Sequence, residues 1–200
     1  MFVLTVDQRG SRRTGDLVDD LLSWLLERGG SYLRPFERTA GDEVQGVVAD
    51  STEVVTLVLG LVRRESWSVG VGVGGVREPL PASTRAGAGT AFTNAREAVT
   101  RAKARPTGLA VEGQRPGEAR HAQTVLDLLA AVVRRRSELG WEAVDLAAGG
   151  LTQLEIAGRL HVSKQAVSQR LQAADWHVEP AARALASHLL SVADGRLAPS

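Results

Sequence analysis

Two kinds of hydrophobic pattern alternate over the first 112 residues of the chain. Short runs rich in β-branched residues, beginning with residues 1–6, are typical of strands. Between them, apolar residues recur every three or four positions, as at Leu17, Leu21 and Leu25, and indicate helices that each bury one face. The predicted order is strand, helix, strand, strand, helix, strand, helix, strand. In an α+β domain, this order predicts a ferredoxin-like sheet extended by one edge strand.

Beyond residue 119 the hydrophobic pattern becomes purely helical. It predicts helices over residues 120–139, 141–148, 152–160, 163–174 and 180–193. The stretch before them contains Gly-Gln-Arg-Pro-Gly, which has the composition of a linker. We therefore predict a ferredoxin-like domain over residues 1–112, a linker over 113–119 and an all-α domain over 120–200.

Residues 151–172 of the helical part, LTQLEIAGRLHVSKQAVSQRLQ, carry the signature of two capped helices. Thr152 followed by Glu155 predicts a capping box, and Ser163 has the position of an N-cap for the second helix. The apolar positions predicted to pack between the two helices are Leu154, Ile156, Ala157, Leu160, Val162, Val167 and Leu171. Because Ala157 is small, the helices can cross closely, as in a helix-turn-helix. His161 occupies the turn, where most such motifs have glycine, and histidine tolerates the left-handed conformation better than most residues.

Polar residues remain on the outward face once the packing positions are assigned. Those at the start of the second helix are Lys164, Gln165, Ser168 and Gln169. In a DNA major groove, glutamine can bond adenine with two hydrogen bonds, and lysine can contact guanine or phosphate. Arg159 and Arg170 suit the flanking phosphates. The motif predicts binding of double-stranded DNA, and the alternative is a helical hairpin whose polar face is only solvated.

Two further features of the helical part bear on DNA binding. The run Arg134-Arg135-Arg136 is either a solvated helix face or an additional DNA contact. A single helix-turn-helix makes few contacts with DNA, and such proteins usually bind paired half-sites as dimers. We therefore predict a homodimer formed through helix 120–139. Its apolar stripe is Val125, Leu128, Leu129 and Val132.

Two carboxylates of the first domain are candidates for a metal site. In a ferredoxin-like sheet the first strand lies beside the third, so Asp7 and Asp42 are expected at the same sheet edge. Close carboxylates suit Mg²⁺ carrying a nucleotide triphosphate. Ser11, with the start of the following helix, offers groups for phosphate, and Arg12 and Arg13 offer charge. The alternative is that Asp7 caps a turn and Asp42 occupies a β-turn position that aspartate favours.

Composition limits the other classes of function. The chain of 200 residues has no cysteine, 44% apolar residues and 24 Lys plus Arg against 23 Asp plus Glu. Disulfide scaffolds, thiol nucleophiles and cysteine-based zinc sites are excluded. Because neither half of the chain is basic, DNA binding requires a locally positive face. No segment has the pattern of a membrane span or a signal peptide, which predicts a soluble, cytoplasmic protein with no membrane partner.

Four segments resemble the SatD family of small bacterial proteins. They are DQRGSR at 7–12, GDEVQG at 41–46, SVGVGVG at 68–74 and GTAFTNAREA at 89–98. The same half is more distantly similar to class III nucleotidyl cyclase and diguanylate cyclase domains, whose metal-binding aspartates correspond to Asp7 and Asp42. The resemblance implies a cyclase-like or palm-like first domain. The family's helical C-terminal part also resembles a helix-turn-helix, so the resemblance covers nearly the whole chain.

The chain differs from cyclases at two places that matter for catalysis. Class III cyclases carry an asparagine and, four residues later, an arginine, whereas Asn94 is followed at that spacing by Ala98. The turn sequence is AGDEV, where diguanylate cyclases have GGDEF. Because groups that stabilise the transition state are absent or displaced, we expect nucleotide binding without turnover.

These observations predict a transcriptional regulator that binds DNA through its C-terminal part. The first domain is predicted to sense a nucleotide or metal, or to mediate dimerisation. The alternatives are a metal-dependent enzyme similar to nucleotidyl cyclases and an interaction adaptor without catalysis.

Overall fold

The computed structural model describes residues 1–197, except the side chain of Arg12. The strands are β1 (Phe2–Gln8), β2 (Tyr32–Ala40), β3 (Glu43–Val48), β4 (Trp67–Val73) and β5 (Leu109–Gly113). The helices are α1 (Ser11–Thr14), α2 (Val18–Glu27), α3 (Ser51–Arg63), α4 (Thr90–Lys103), α5 (Pro116–Arg135), α6 (Glu138–Ala148), α7 (Gln153–Leu160), α8 (Lys164–Ala173) and α9 (Glu179–Ala193). The fold is α+β, as the hydrophobic pattern predicted.

The strands form one mixed sheet in the order β2-β3-β1-β4-β5. β1 is antiparallel to both of its neighbours, and β5 is parallel to β4. β1 therefore lies beside β3, as the order of elements predicted, and the register places Asp7 opposite Glu43. A two-residue turn at Gly41 and Asp42 joins β2 to β3.

Helix α4 covers one face of the sheet at very close range. A Cβ atom added to Gly70 would lie 2.2 Å from the backbone nitrogen of Val99, and one added to Gly72 would lie 2.1 Å from the carbonyl oxygen of Ala91. The alternating glycines of β4 are thus required by a neighbouring backbone, that of α4.

The opposite face of the sheet packs against α2, α3 and α5, and α9 packs against α3 and α5. One hydrophobic cluster, here called the sheet core, joins these helices to the strands and includes Phe2, Leu4, Val6, Leu57, Leu61, Leu126, Leu129 and Leu190. Only Gln114 and Arg115 separate β5 from α5. The linker predicted at 113–119 therefore falls at a junction within this core, and α5 and α9 pack with the first 112 residues.

A second hydrophobic cluster lies within residues 137–178, here called the three-helix unit. It joins α6, α7 and α8 through Ala143, Val144, Ile156, Ala157, Val167, Leu171 and Ala174. The chain enters this unit after Arg136 and leaves it before Glu179. These two side chains form a buried ion pair, and Arg136 Nε also donates to the carbonyl oxygen of Ala174 at 2.9 Å.

The arginine run at the end of α5 is used mainly within the protein. Arg134 Nη2 donates to the carbonyl oxygen of Thr107 at 2.8 Å. Arg136 is buried against Glu179, and Arg135 is exposed with a nitrogen 3.7 Å from Asp175 Oδ2. The run is therefore neither a fully solvated helix face nor a free DNA-binding surface.

Within residues 1–197, no helix is both long enough and apolar enough to cross a lipid bilayer.

Candidate functional site

Helix α7 begins with the predicted capping box. Thr152 Oγ1 accepts a hydrogen bond from the Glu155 backbone nitrogen at 3.4 Å, and Glu155 Oε2 accepts from the Thr152 backbone nitrogen at 2.7 Å. The bonds that Thr152 donates from its backbone and its hydroxyl hold the pKa of Glu155 below its ordinary value. The start of α7 is thus determined by residues three positions apart.

The turn between α7 and α8 depends on a left-handed residue. His161 has φ 54° and ψ 42°, and its backbone N–H donates to the carbonyl of Ala157. Helix α8 then begins at Ser163, whose Oγ accepts a hydrogen bond from the Ala166 backbone nitrogen at 3.1 Å. The predicted turn at His161 and the N-cap at Ser163 are both confirmed.

Packing between α7 and α8 follows the prediction except at one position. Ile156 and Ala157 of α7 are buried, as are Val167 and Leu171 of α8. Leu154 was expected to pack inward, but its side chain is 71% exposed. Because consecutive helical residues are rotated by about 100°, Leu154 lies nearly opposite Ile156 on α7.

The first half of α8 presents a polar surface with no internal partners. Lys164, Gln165, Ser168 and Gln169 are all exposed, as predicted. Within the described residues, their side chains make no hydrogen bond or ion pair. Arg159 of α7 is likewise exposed and unpaired in this part of the chain. We call these five residues the α8 surface.

Arg170 does not belong to the α8 surface. Its Nη1 lies 3.1 Å from Glu142 Oε2 on α6, and its side chain is only 20% exposed. Asp145 of α6 is similarly neutralised by Arg63 of α3, with two hydrogen bonds of 2.8 and 2.9 Å. These acidic side chains of α6 are therefore paired, whereas the cations Arg159 and Lys164 remain available to an external anion.

Asp7 and Asp42, here called the carboxylate pair, lie at the same edge of the sheet, as predicted from the strand order. The Gln8 backbone nitrogen donates to the carbonyl oxygen of Asp42 at 3.3 Å, which holds the turn against the end of β1. Asp7 Oδ2 lies 2.7 Å from Lys103 Nζ, at the end of α4. Sequence reasoning missed this lysine, because the contact depends on how α4 crosses the sheet.

Two further polar side chains of this half of the chain are used internally. Glu43, next to Asp42, accepts a hydrogen bond from Thr39. Asn94 lies at the opposite end of the sheet, where it donates to the carbonyl oxygen of Val73 at 2.7 Å; Val73 pairs with Phe2 and not with Asp7. Arg96 is exposed and forms no ion pair with Asp42 or Glu43 among the described residues. Residues 1–197, apart from the Arg12 side chain, contain no group of three or more acidic, histidine or cysteine side chains arranged to hold a metal ion.

The predicted phosphate-binding turn is a single helical turn, α1. Its backbone N–H groups at Arg13 and Thr14 both donate to the Gly10 carbonyl oxygen. Ser11 is half-buried and Arg13 is exposed. The side chain of Arg12, also predicted to contact phosphate, lies outside the described part of the chain.

A groove that the sequence did not predict lies where α2 and α3 face the three-helix unit. Its volume is about 840 Å³, and Trp24, Trp141 and Trp176 are among its lining residues. All three are half-buried.

No protein-family model, no curated protein and no solved structure matches the chain. The resemblance to the SatD family and to cyclase domains therefore stays a prediction, and a functional proposal must rest on the geometry.

Proposed function

We propose that the protein is a DNA-binding transcriptional regulator in which α7 and α8 act as a helix-turn-helix. Helix α8 is the recognition helix and enters the major groove of double-stranded DNA. The observation that carries this proposal is the α8 surface, where polar side chains and two cations lack internal partners. Binding DNA would break no hydrogen bond or ion pair of these side chains within the described protein.

The chemistry of the α8 surface fits a DNA site in two ways. Gln165 and Gln169 lie one helical turn apart and can each donate and accept at a base edge. Lys164, at the start of α8, and Arg159, at the end of α7, flank this face and suit phosphate contacts. Shape and charge thus favour DNA over an apolar protein partner at this surface.

We further propose that the regulator is a homodimer. The three-helix unit presents few cations, so one copy would bind DNA weakly, and two copies would bind paired half-sites. Leu128 of α5 is 65% exposed, whereas Leu129 is buried in the sheet core. The exposed part of the predicted stripe therefore centres on Leu128, which we place at the interface between copies.

The N-terminal part of the chain supplies the scaffold in this proposal. The order β2-β3-β1-β4 supports a ferredoxin-like sheet extended by β5. We assign no reaction to the carboxylate pair, because Lys103 already balances the charge of Asp7. Asn94, aligned with a catalytic asparagine of cyclases, instead bonds the backbone of β4.

The test is a mobility-shift titration at fixed salt, on a duplex selected from a random library. Lys164→Ala combined with Gln165→Ala should weaken binding by about 2–4 kcal/mol, since a good base contact contributes about 1–3 kcal/mol. The matched control is Arg120→Ala with Gln114→Ala, which also removes one exposed cation and one exposed glutamine. Equal affinity of the Lys164/Gln165 variant and the wild type would refute the assignment of α8.

A further inference from the structure

The groove between the sheet core and the three-helix unit, here called the tryptophan groove, has aromatic walls from distant parts of the chain. Trp24 comes from α2, Trp141 from α6 and Trp176 from the segment after α8. Gly60 of α3 makes room for the Trp24 ring, because a Cβ atom there would lie 2.9 Å from Trp24 Cη2. A volume of about 840 Å³ is within the range of small-molecule sites.

Arginine side chains lie over two of these aromatic rings. The Arg63 guanidinium carbon is 3.8 Å from the centroid of the Trp141 ring, and that of Arg64 is 4.6 Å from the centroid of the Trp24 ring. Such stacked pairs form flat surfaces that carry positive charge. Arg28 and Arg136 also lie over these rings, 5.9 Å from the Trp24 centroid and 4.8 Å from the Trp141 centroid. Among the described residues no arginine lies over Trp176, so the groove offers a planar ligand the Trp176 ring and a cation from Arg64.

Positive charge in the tryptophan groove exceeds what the neighbouring carboxylates neutralise. Arg63 is paired with Asp145, but Glu179 is shared between Arg136 and Arg183. Arg64 is exposed and forms no ion pair within the described residues. The groove therefore has a surplus of cations.

A second arginine of the groove, Arg28, also has a side-chain nitrogen without a partner among the described residues. Nε of Arg28 is buried and has no hydrogen-bond partner among the described residues, although its Nη2 lies 3.1 Å from both Glu53 oxygens. Buried donors are normally paired, so an unpaired one beside a groove favours an acceptor supplied from outside.

We propose that the tryptophan groove binds a planar aromatic anion, of the chemical class that includes nucleoside monophosphates and aromatic carboxylates. The ring lies against Trp176, and the anionic group is held by Arg64. Because α3 and α6 form opposite walls, the ligand contacts the sheet core and the three-helix unit at once. This site is separate from the α8 surface and from the carboxylate pair.

Isothermal titration calorimetry of the full chain, without DNA, tests the ligand class. AMP is expected to bind saturably at one site, with adenosine and inorganic phosphate each at least about tenfold weaker, because each lacks one of the two contacts. If benzoate binds more tightly than AMP, the ligand is an aromatic carboxylate and not a nucleoside monophosphate. Absence of binding by both AMP and benzoate, or phosphate binding as tight as AMP, would overturn the proposal.

Substitutions test the location with the stronger of these two probes. Arg64→Gln should weaken binding about tenfold or more, and Arg64→Lys should restore part of it. Arg120→Gln, an exposed arginine on α5, and Asp42→Asn at the carboxylate pair should leave the affinity unchanged. Equal affinity of Arg64→Gln and the wild type, or loss of binding in Asp42→Asn, would contradict the groove as the site.

A second variant examines the ring contact. Trp176→Leu should also weaken binding, and its melting temperature without ligand separates a loss of folding from a loss of the site. If Trp176→Leu is unstable, Trp176→Phe keeps a ring face. It should bind more weakly than the wild type but more tightly than Arg64→Gln combined with Trp176→Phe. Since no DNA is present, these results are independent of the outcome for the α8 surface.

Discussion

Arg136 and Glu179 form an ion pair in which each side chain is only 1% exposed. Arg136 follows α5 and Glu179 begins α9, so the pair closes the neck through which the chain enters and leaves the three-helix unit. Glu179 also accepts a hydrogen bond from Arg183 Nε at 2.6 Å. This buried carboxylate therefore joins the three-helix unit to the sheet core, together with the Arg63–Asp145 pair between α3 and α6.

Glu179→Gln should destabilise the protein strongly. Removing one partner of a buried ion pair leaves the other charge uncompensated, which typically costs about 3–5 kcal/mol. The free energy of unfolding measured in urea should fall by this amount. Glu97→Gln should change it little, because Glu97 is exposed and forms no ion pair within the part of the chain that the structure describes. A loss below about 1 kcal/mol, as for a surface pair, would contradict the role of Glu179.

The capping box of α7 should make stability depend on pH. The folded-state pKa of Glu155 is lowered by hydrogen bonds from Thr152, so the carboxylate contributes stability above the ordinary glutamate pKa of about 4.3. That contribution is lost as pH falls through the lower folded-state pKa.

Thermal unfolding of wild type and Glu155→Gln checks this dependence. The wild type should have the higher melting temperature near neutral pH, and the difference should disappear below the folded-state pKa, where Glu155 is protonated. Glu97→Gln serves as the exposed control. A difference between wild type and Glu155→Gln that stays constant over the whole pH range would show that the charge has no part in capping.

His161→Gly should stabilise the turn between α7 and α8. The φ angle of His161 is 54°, in a region that costs a residue with a Cβ atom roughly 1–2 kcal/mol, and glycine avoids this cost while losing more entropy on folding. We expect a net gain of about 0.5–1 kcal/mol in urea unfolding. His161→Val should have the opposite sign, and a glycine variant less stable than wild type would mean that the histidine side chain stabilises the turn.

Leu128→Glu should convert a dimer into a monomer. A charge at the centre of an apolar interface is unfavourable because it is removed from water without a partner. Sedimentation at tens of micromolar protein should show a dimer for the wild type and a monomer for the variant, with DNA affinity reduced about tenfold or more. Leu26→Glu changes another exposed leucine, on α2, and should leave the dimer intact.

A wild-type protein that is monomeric at this concentration, yet binds DNA fully, would contradict the dimer. Persistence of the dimer in Leu128→Glu would place the interface elsewhere on the molecule.

The sequence by itself determined the features that depend on neighbouring residues. The capping box at Thr152 and Glu155, the turn at His161 and the N-cap at Ser163 each involve atoms a few positions apart, so local rules predict them. The order of strands and helices along the chain and the α+β class follow from hydrophobic periodicity, which depends only on which residues share a face. The exposed positions of α8 were predicted for the same reason.

Only the tertiary structure decided which buried faces meet. Periodicity shows that α5 and α9 each have an apolar face. It does not show that these faces join the sheet core, so that residues 113–119 form a junction within that core. The partners Lys103 of Asp7 and Glu142 of Arg170 lie far apart in sequence, and neither has a local signal. The tryptophan groove likewise exists because α3 and α6 face each other across the neck closed by Arg136 and Glu179. Such contacts depend on the docking of whole elements, which residue spacing along the chain does not specify.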